Sequence, residues 1–323
     1  MNGITQDLKE WYALSCPVNG VRFDKAFLDL LDADKDGVIR TDDVQRAIAS
    51  FDTDGEKSPY AACIQEFVDN FVTMKALYTA EDQAMFQLGV LRIDSREMHL
   101  CFEVADEEKH SQLTGYSNCH VIYLELSRPG SEDKRHICAV VTAGTVSRLY
   151  VGRNGVFYDR NGELWNGTIT RIVENQVSLV EAFWAPWKKL GEAVAGLVKK
   201  FIGDKHAATM TKAGEAAKTP EAGGAAMASS VAAIGIGLGM MGAAMASLMA
   251  VIAKMQWYQI LIAIGAAVLI VSLPSVILTY FKLRKRDLGA VLNASGWAIN
   301  RPMRFSMRRA RAFTRKARMK LFK

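Results

Sequence analysis

The sequence predicts an α+β membrane protein, and three observations carry that expectation. Two long apolar runs, Met227 to Ala253 and Ile260 to Phe281, are separated by little more than Lys254 to Gln259. From about Met98 apolar residues alternate with polar ones, the strand period, whereas before it they recur at helical spacing. Downstream, Lys282 to Lys323 holds 14 Lys and Arg against the single acid Asp287. The expected order is a helical N-terminal module (1–90), a small β-rich domain (91–175) and an amphipathic helix with a linker (176–226). A two-helix transmembrane hairpin (227–281) and a basic cytoplasmic tail forming a helix (282–323) complete it.

In the N-terminal module, Phe23, Phe27, Leu30 and Leu31 share one helical face, as do Val44, Ala47, Ile48 and Phe51 after a polar loop. A further helix is expected from about Tyr60 to Leu77, with Ser58 as its N-cap and Pro59 at its first position. Thr79 to Asp82 would cap another.

The loop between the first two helices carries the clearest chemistry. Asp32, Asp34 and Asp36 occupy its positions 1, 3 and 5, Gly37 permits a sharp turn, Val38 offers a backbone carbonyl, and Asp43 closes the loop at position 12. Calcium takes six to eight oxygen ligands, which this spacing is suited to supply. Residues 22–50 resemble the EF-hand family, and the resemblance implies a metal site formed by Asp32, Asp34, Asp36, Val38 and Asp43, holding Ca²⁺ with Mg²⁺ as the alternative. Position 12 is usually Glu; the shorter Asp43 implies weaker binding. EF-hands tend to occur in pairs, and Asp52 to Gly55 is too short to be a second loop of that form.

In the β-rich domain the expected strands are Met98 to Val104, His120 to Leu126, Ile137 to Thr142, Val146 to Val151, Val156 to Tyr158 and Leu164 to Val173. Arg153 to Gly155 and Arg160 to Gly162 contain Asn-Gly, a strong hairpin signal. Beyond them, Trp187, Leu190, Val194, Leu197, Val198 and Phe201 fall on one helical face, flanked by Lys188, Lys189, Lys199 and Lys200. That pattern suits a helix lying in a membrane interface or one packed on the β-domain.

Each apolar run reaches the roughly 20 residues that an α-helix needs to cross a bilayer. Their short connection makes them an expected antiparallel pair, and the basic flank places both termini in the cytoplasm. The N-terminus reads as free of a signal peptide. Gly237 to Gly242 matches G-x-G-x-x-G, but no strand precedes it, and it sits in an apolar run without the acid a ribose requires. Gly235, Gly239, Ala243 and Ser247 recur every four residues, a spacing that suits close packing against the second span or another copy of the chain. Pro274 would kink the second run modestly. Neither run holds an ionisable residue, which argues against a transport pathway within one hairpin. In the tail, Arg304, Arg308, Arg311, Arg315 and Arg318 form one helical stripe. Met303, Met307, Ala310, Phe313, Ala317 and Leu321 form the opposing one. A basic amphipathic helix binding anionic lipid headgroups is the expected outcome, with nucleic-acid binding or an unstructured arm as alternatives.

The remaining chemistry-bearing residues point to no reaction. Five scattered cysteines lack C-x-x-C spacing, five histidines lack a metal-binding pattern, and there is no G-x-S-x-G turn. No catalytic or cofactor-binding residue is assigned. Gly155 to Trp165 running on to Trp187, together with Leu283 to Gly289 and Leu292 to Asn300, resembles uncharacterised bacterial two-span membrane proteins. That resemblance implies a bacterial inner-membrane location and carries no activity. The expected function is a membrane-anchored, divalent-cation-responsive adaptor or scaffold. A subunit of an oligomeric channel or transporter, or a membrane-tethered enzyme with its site in the β-rich domain, are the alternatives.

Overall fold

A computed structural model describes residues 7–79, 83–128, 130–196, 247 and 256–316. The chain divides into two units, Met1–Glu181 with Leu278–Lys323, and Ala182–Ile277.

In the first unit the helices are α1 (Lys25–Leu31), α2 (Thr41–Asp54), α3 (Ile64–Phe71), α4 (Lys75–Tyr78) and α5 (Glu107–Thr114). Residues 179–196 form α6, which runs into the second unit. A long helix α7 (Trp257–Arg284) is followed by α8 (Leu288–Ala294) and α9 (Met307–Phe313). Strands β1 (Ala13–Pro17), β2 (Val38–Arg40) and β10 (Ala298–Ile299) make a three-stranded antiparallel sheet in the order β10-β1-β2. The larger sheet has eight strands: β3 (Gly89–Ile93), β4 (Arg96–Met98), β5 (Cys101–Glu103), β6 (His120–Ser127), β7 (Lys134–Val141), β8 (Asn154–Asp159), β9 (Leu164–Val173) and β11 (Thr314–Lys316). Their order is β11-β4-β3-β8-β9-β6-β7-β5. Strands β4 and β5 stand near opposite ends of that order, yet only His99 and Leu100 separate them in the chain. A two-residue link reaches only on the order of 10 Å, so the sheet has to curl until its ends approach.

The curl explains why β6 and β7 read as nearly unbroken apolar runs. Ile122, Leu124, Leu126, Ala139 and Val141 enter a core on one face. Val121, Tyr123, Cys138 and Val140 enter a second core on the other. Alternate side chains point to opposite faces of a strand, so a strand covered on both sides must be apolar at nearly every position. The second core continues through Phe27, Ile39, Phe67 and Phe71 into Leu288, Trp297, Met303, Ala310 and Phe313 of the tail.

Several expectations need correction. Among the described residues, α7 alone is long and apolar enough to cross a membrane, with mean hydropathy 2.7, so the two-helix transmembrane hairpin is replaced by one candidate spanning helix. The run 227–253, including Gly235, Gly239 and Ala243, lies outside the described residues except for Ser247. Apolar length sets the possibility of a span and does not establish a helix.

The basic tail is not one amphipathic helix. Among the described residues its helical turns are α8 and α9, and Thr314–Lys316 form β11, paired with β4 through Thr314 and Met98. Met303, Ala310 and Phe313 are buried in the protein core, because an apolar stripe gains as much from a protein groove as from lipid. Arg304, Arg308, Arg311 and Arg315 are exposed, but only Arg308 and Arg311 lie within α9, and Arg318 falls outside the described residues.

Smaller differences have local causes. The expected helix from Tyr60 to Leu77 breaks at Met74, whose φ of 51° is left-handed, and begins only at Ile64. Val146 to Val151 is a succession of turns, with the Leu149 amide donating to the Val146 carbonyl. Met98 to Val104 divides into β4 and β5 at the edge crossing. Asn161-Gly162 turns β8 into β9, with Gly162 at φ 82°, whereas Asn154 and Gly155 open β8 itself.

Candidate metal loop and buried polar centres

Asp24 caps α1 through the Phe27 amide at 2.7 Å, and the helix ends at Asp32, which is buried. The Asp32 carboxylate then accepts the Asp36 amide at 3.2 Å and the Gly37 amide at 3.0 Å. Lys35 and Gly37 both take positive φ, 58° and 82°, which folds the loop back on Asp32. Ile39 is fully buried, anchoring β2 against Cys16 of β1. Strand β1 therefore occupies the flank of the loop's own strand, and Asp52 and Asp54 lie inside α2. No second loop is formed there.

The structure brings Asp32, Asp34 and Asp36 together, with one oxygen of each within 4.8 Å of the others, and Asp34 and Asp36 exposed. Three carboxylates at that separation repel one another, and local donors offset part of this. Asp36 accepts the Val38 amide at 2.9 Å and pairs with Arg40 at 2.6 Å. The Arg40 hydrogen bond and the Val38 amide lower the Asp36 pKa. A second Arg40 contact reaches the Val38 carbonyl at 3.4 Å, so one guanidinium engages two of the predicted ligand groups.

Asp43 is not brought into the cluster. One oxygen accepts the Arg40 amide at 2.9 Å, where it helps to cap α2, and the other pairs with Arg46 at 2.7 Å. Arg46 is held in turn by the Leu31 carbonyl at 3.1 Å. The loop as it stands offers three carboxylates with Val38 adjacent, and its twelfth position serves the helix start.

A second polar centre lies on the face of β6 and β7 that carries the second core. His110 Nδ1 is 2.8 Å from the Tyr123 hydroxyl and Nε2 is 2.9 Å from the Ser295 hydroxyl, while Thr114 lies 2.8 Å from the same tyrosine oxygen. Cys138 Sγ is 4.0 Å from Nε2. A thiol beside an imidazole suggests nucleophilic chemistry, but a nucleophile needs a thiolate and access. Burial raises the Cys138 pKa and lowers that of His110 to about 4, so both stay neutral near pH 7. The group ties α5, β6, β7 and α8 together and is structural.

Sequence reasoning missed Arg96 and Arg286, two buried arginines. Arg286 lies in Lys282 to Arg286, a basic run that reads as membrane-flanking charge, and only its burial sets it apart. Arg96 follows Asp94-Ser95, both left-handed at 55° and 56°, the two central residues of a tight hairpin.

Comparison with protein-family models, with curated proteins and with solved structures finds no match.

Proposed function

We propose that this protein is a membrane-associated adaptor whose acidic loop responds to a divalent cation, Ca²⁺ or Mg²⁺. One observation carries the coupling: the strand inside the loop, β2, lies in the same sheet as β10, which follows α7 by only 13 residues. A cation that reorganises Asp36 and Arg40 acts on β2 directly, and β1 connects that movement to the tail.

Membrane association rests on α7. Its 28 residues rise about 42 Å, more than the hydrocarbon core requires. Only 6% of its most apolar window is buried by protein. Lys282 and Arg284 in its last turn and Lys285 just beyond favour the cytoplasmic side for that end. Exposed Arg304, Arg308, Arg311 and Arg315 are suited to anionic headgroups.

The test has two arms. Calorimetry on the full chain in neutral detergent should give saturable heat with calcium, with a Kd on the order of 10⁻⁴ to 10⁻³ M for a loop lacking its closing ligand. Asp34→Ala should abolish it. No heat with either cation ends the cation reading, and release of the protein from membranes by alkaline carbonate ends the membrane reading.

A further inference from the structure

A cleft of about 1590 Å³ lies wholly within the first unit, away from the acidic loop and sharing no residue with it. Its walls are the β3–β4 turn, the loop after β7, residues 177–180, the end of α7 and the tail through β11. Six cations line it, Arg96, Arg148, Arg286, Arg311, Arg315 and Lys316, against the acids Asp94 and Glu97.

Those acids are already engaged. Asp94 is shared by Arg96 at 2.7 Å, Arg153 at 3.2 Å and Arg148 at 3.8 Å, and Glu97 pairs with Arg92 at 2.8 Å. Arg286 is 2% exposed and has no carboxylate partner among the described residues. Its Nη1 donates to the Thr142 carbonyl at 2.7 Å, its Nε donates to the Leu283 carbonyl at 3.1 Å, and its guanidinium lies 4.6 Å from the Phe305 ring centre. Arg96 is 9% exposed, and its buried Nη1 has no hydrogen-bond partner among the described residues. Gly144, at φ 94°, leaves the room for that group: a Cβ there would lie 3.0 Å from Nη1. Burying a charge without a counter-charge is costly; Arg286 has none among the described residues, and Arg96 shares the one Asp94 carboxylate with Arg148 and Arg153, so the cleft carries an excess of positive charge that an anion would offset. The opposite character is present too, in Val177, Leu179, Val180, Leu283 and Met307. Leu283 belongs to the last turn of α7.

The geometry points to a binding site for an amphipathic, phosphate-bearing anion, with the phosphate on Arg96 and the rim arginines and the apolar part against Val180 and Leu283. An acidic phospholipid and a soluble phosphate ester share this chemistry. Burial lowers the Arg286 pKa but leaves the group charged near neutrality, so it supplies field throughout the ordinary pH range.

The test is thermal unfolding of the full chain in neutral detergent, followed by tryptophan fluorescence. Dioctanoyl phosphatidylglycerol, dioctanoyl phosphatidylcholine and inorganic pyrophosphate are the probes, all at matched ionic strength. The anionic lipid should raise the midpoint saturably and the choline lipid should not. Losing one charge-assisted contact should raise the half-saturating concentration about tenfold in Arg96→Gln. Should that variant fail to fold, the exposed rim pair Arg311→Gln with Arg315→Gln decides by the same shift. Stabilisation by pyrophosphate alone, with the same variant sensitivity, assigns the site to soluble phosphate esters. The proposal is overturned if no anionic probe stabilises the protein, if the choline lipid does so equally, or if the rim pair leaves half-saturation unchanged.

Discussion

Acid should destabilise this protein well before its carboxylates titrate, and two buried histidines set the size of the effect. His110 is enclosed by Tyr123 and Ser295, and His120 packs its Nδ1 against the backbone of Asn175. Burial lowers both pKa values to about 4, from about 6.5 in an unfolded chain. Above pH 6.5 both states are neutral and there is no penalty. Between 6.5 and 4 the unfolded chain takes up protons that the folded chain refuses, so stability falls as pH falls. Each histidine contributes about 1.4 kcal/mol per pH unit over that window. At pH 5 the loss is about 2 kcal/mol each and about 4 kcal/mol together. For a folded unit of this size that lowers the midpoint by roughly 8–16 °C. The assay is thermal unfolding in neutral detergent between pH 7 and 5, comparing the parent with His110→Gln, His120→Gln and the double variant. Each replacement lowers stability at pH 7 and flattens the pH dependence. Equal losses from pH 7 to 5 in the parent and the double variant would refute the reasoning.

Other predictions test other parts of the fold and the loop. Arg40→Gln removes the guanidinium that engages Asp36 and the Val38 carbonyl, and should tighten calcium binding several-fold in calorimetry, whereas an unchanged or weaker Kd argues against competition at the loop. Thr142→Val deletes the 2.6 Å bond donated to the Ala310 carbonyl and the contact with Thr314. It should cost about 1–3 kcal/mol and speed proteolysis within the tail; an unchanged cleavage rate would show that the tail is held elsewhere. Phe67→Ala, which removes a fully buried ring packed against Phe23, Phe27 and Phe71, should cost about 3–5 kcal/mol by denaturant unfolding. Gly89→Ala should be among the most damaging small substitutions, since its Cβ would meet the Tyr158 carbonyl at 2.1 Å; soluble expression at the parent level would contradict the close approach of β3 and β8.

The tail shows how burial changes the meaning of a charge pattern. Arginines beside an apolar helix read as a membrane flank, and Arg304, Arg308 and Arg311 are indeed exposed. Arg286, two residues beyond the end of α7, instead donates to the Thr142 carbonyl inside the protein. The two roles cannot be told apart along the chain, because a guanidinium carries the same charge in both. The sheet edges at β1 and β4, which pair β10 and β11, and the second core that receives Met303, Ala310 and Phe313 decide that the tail folds back.

By itself the sequence determined what depends on near neighbours. The Asp32, Asp34 and Asp36 trio was legible because a short loop dictates which carboxylates converge. Helix α2 and strands β6, β7 and β9 were legible because each is long enough to repeat its apolar period several times. The apolar run of α7 was legible from composition alone. Tertiary structure decided the rest. Strands β1, β2, β10 and β11 have two to five residues each, too few to establish a period, and they form because distant edges are available to pair. Asp43 was assigned to the metal by its place in the loop, but its two oxygens are taken by the amide of Arg40 and the guanidinium of Arg46. Arg96 and Arg286 became candidates only once the curled sheet and the returning tail enclosed them. Periodicity specifies which face of a segment is apolar; what covers that face is a property of the whole fold.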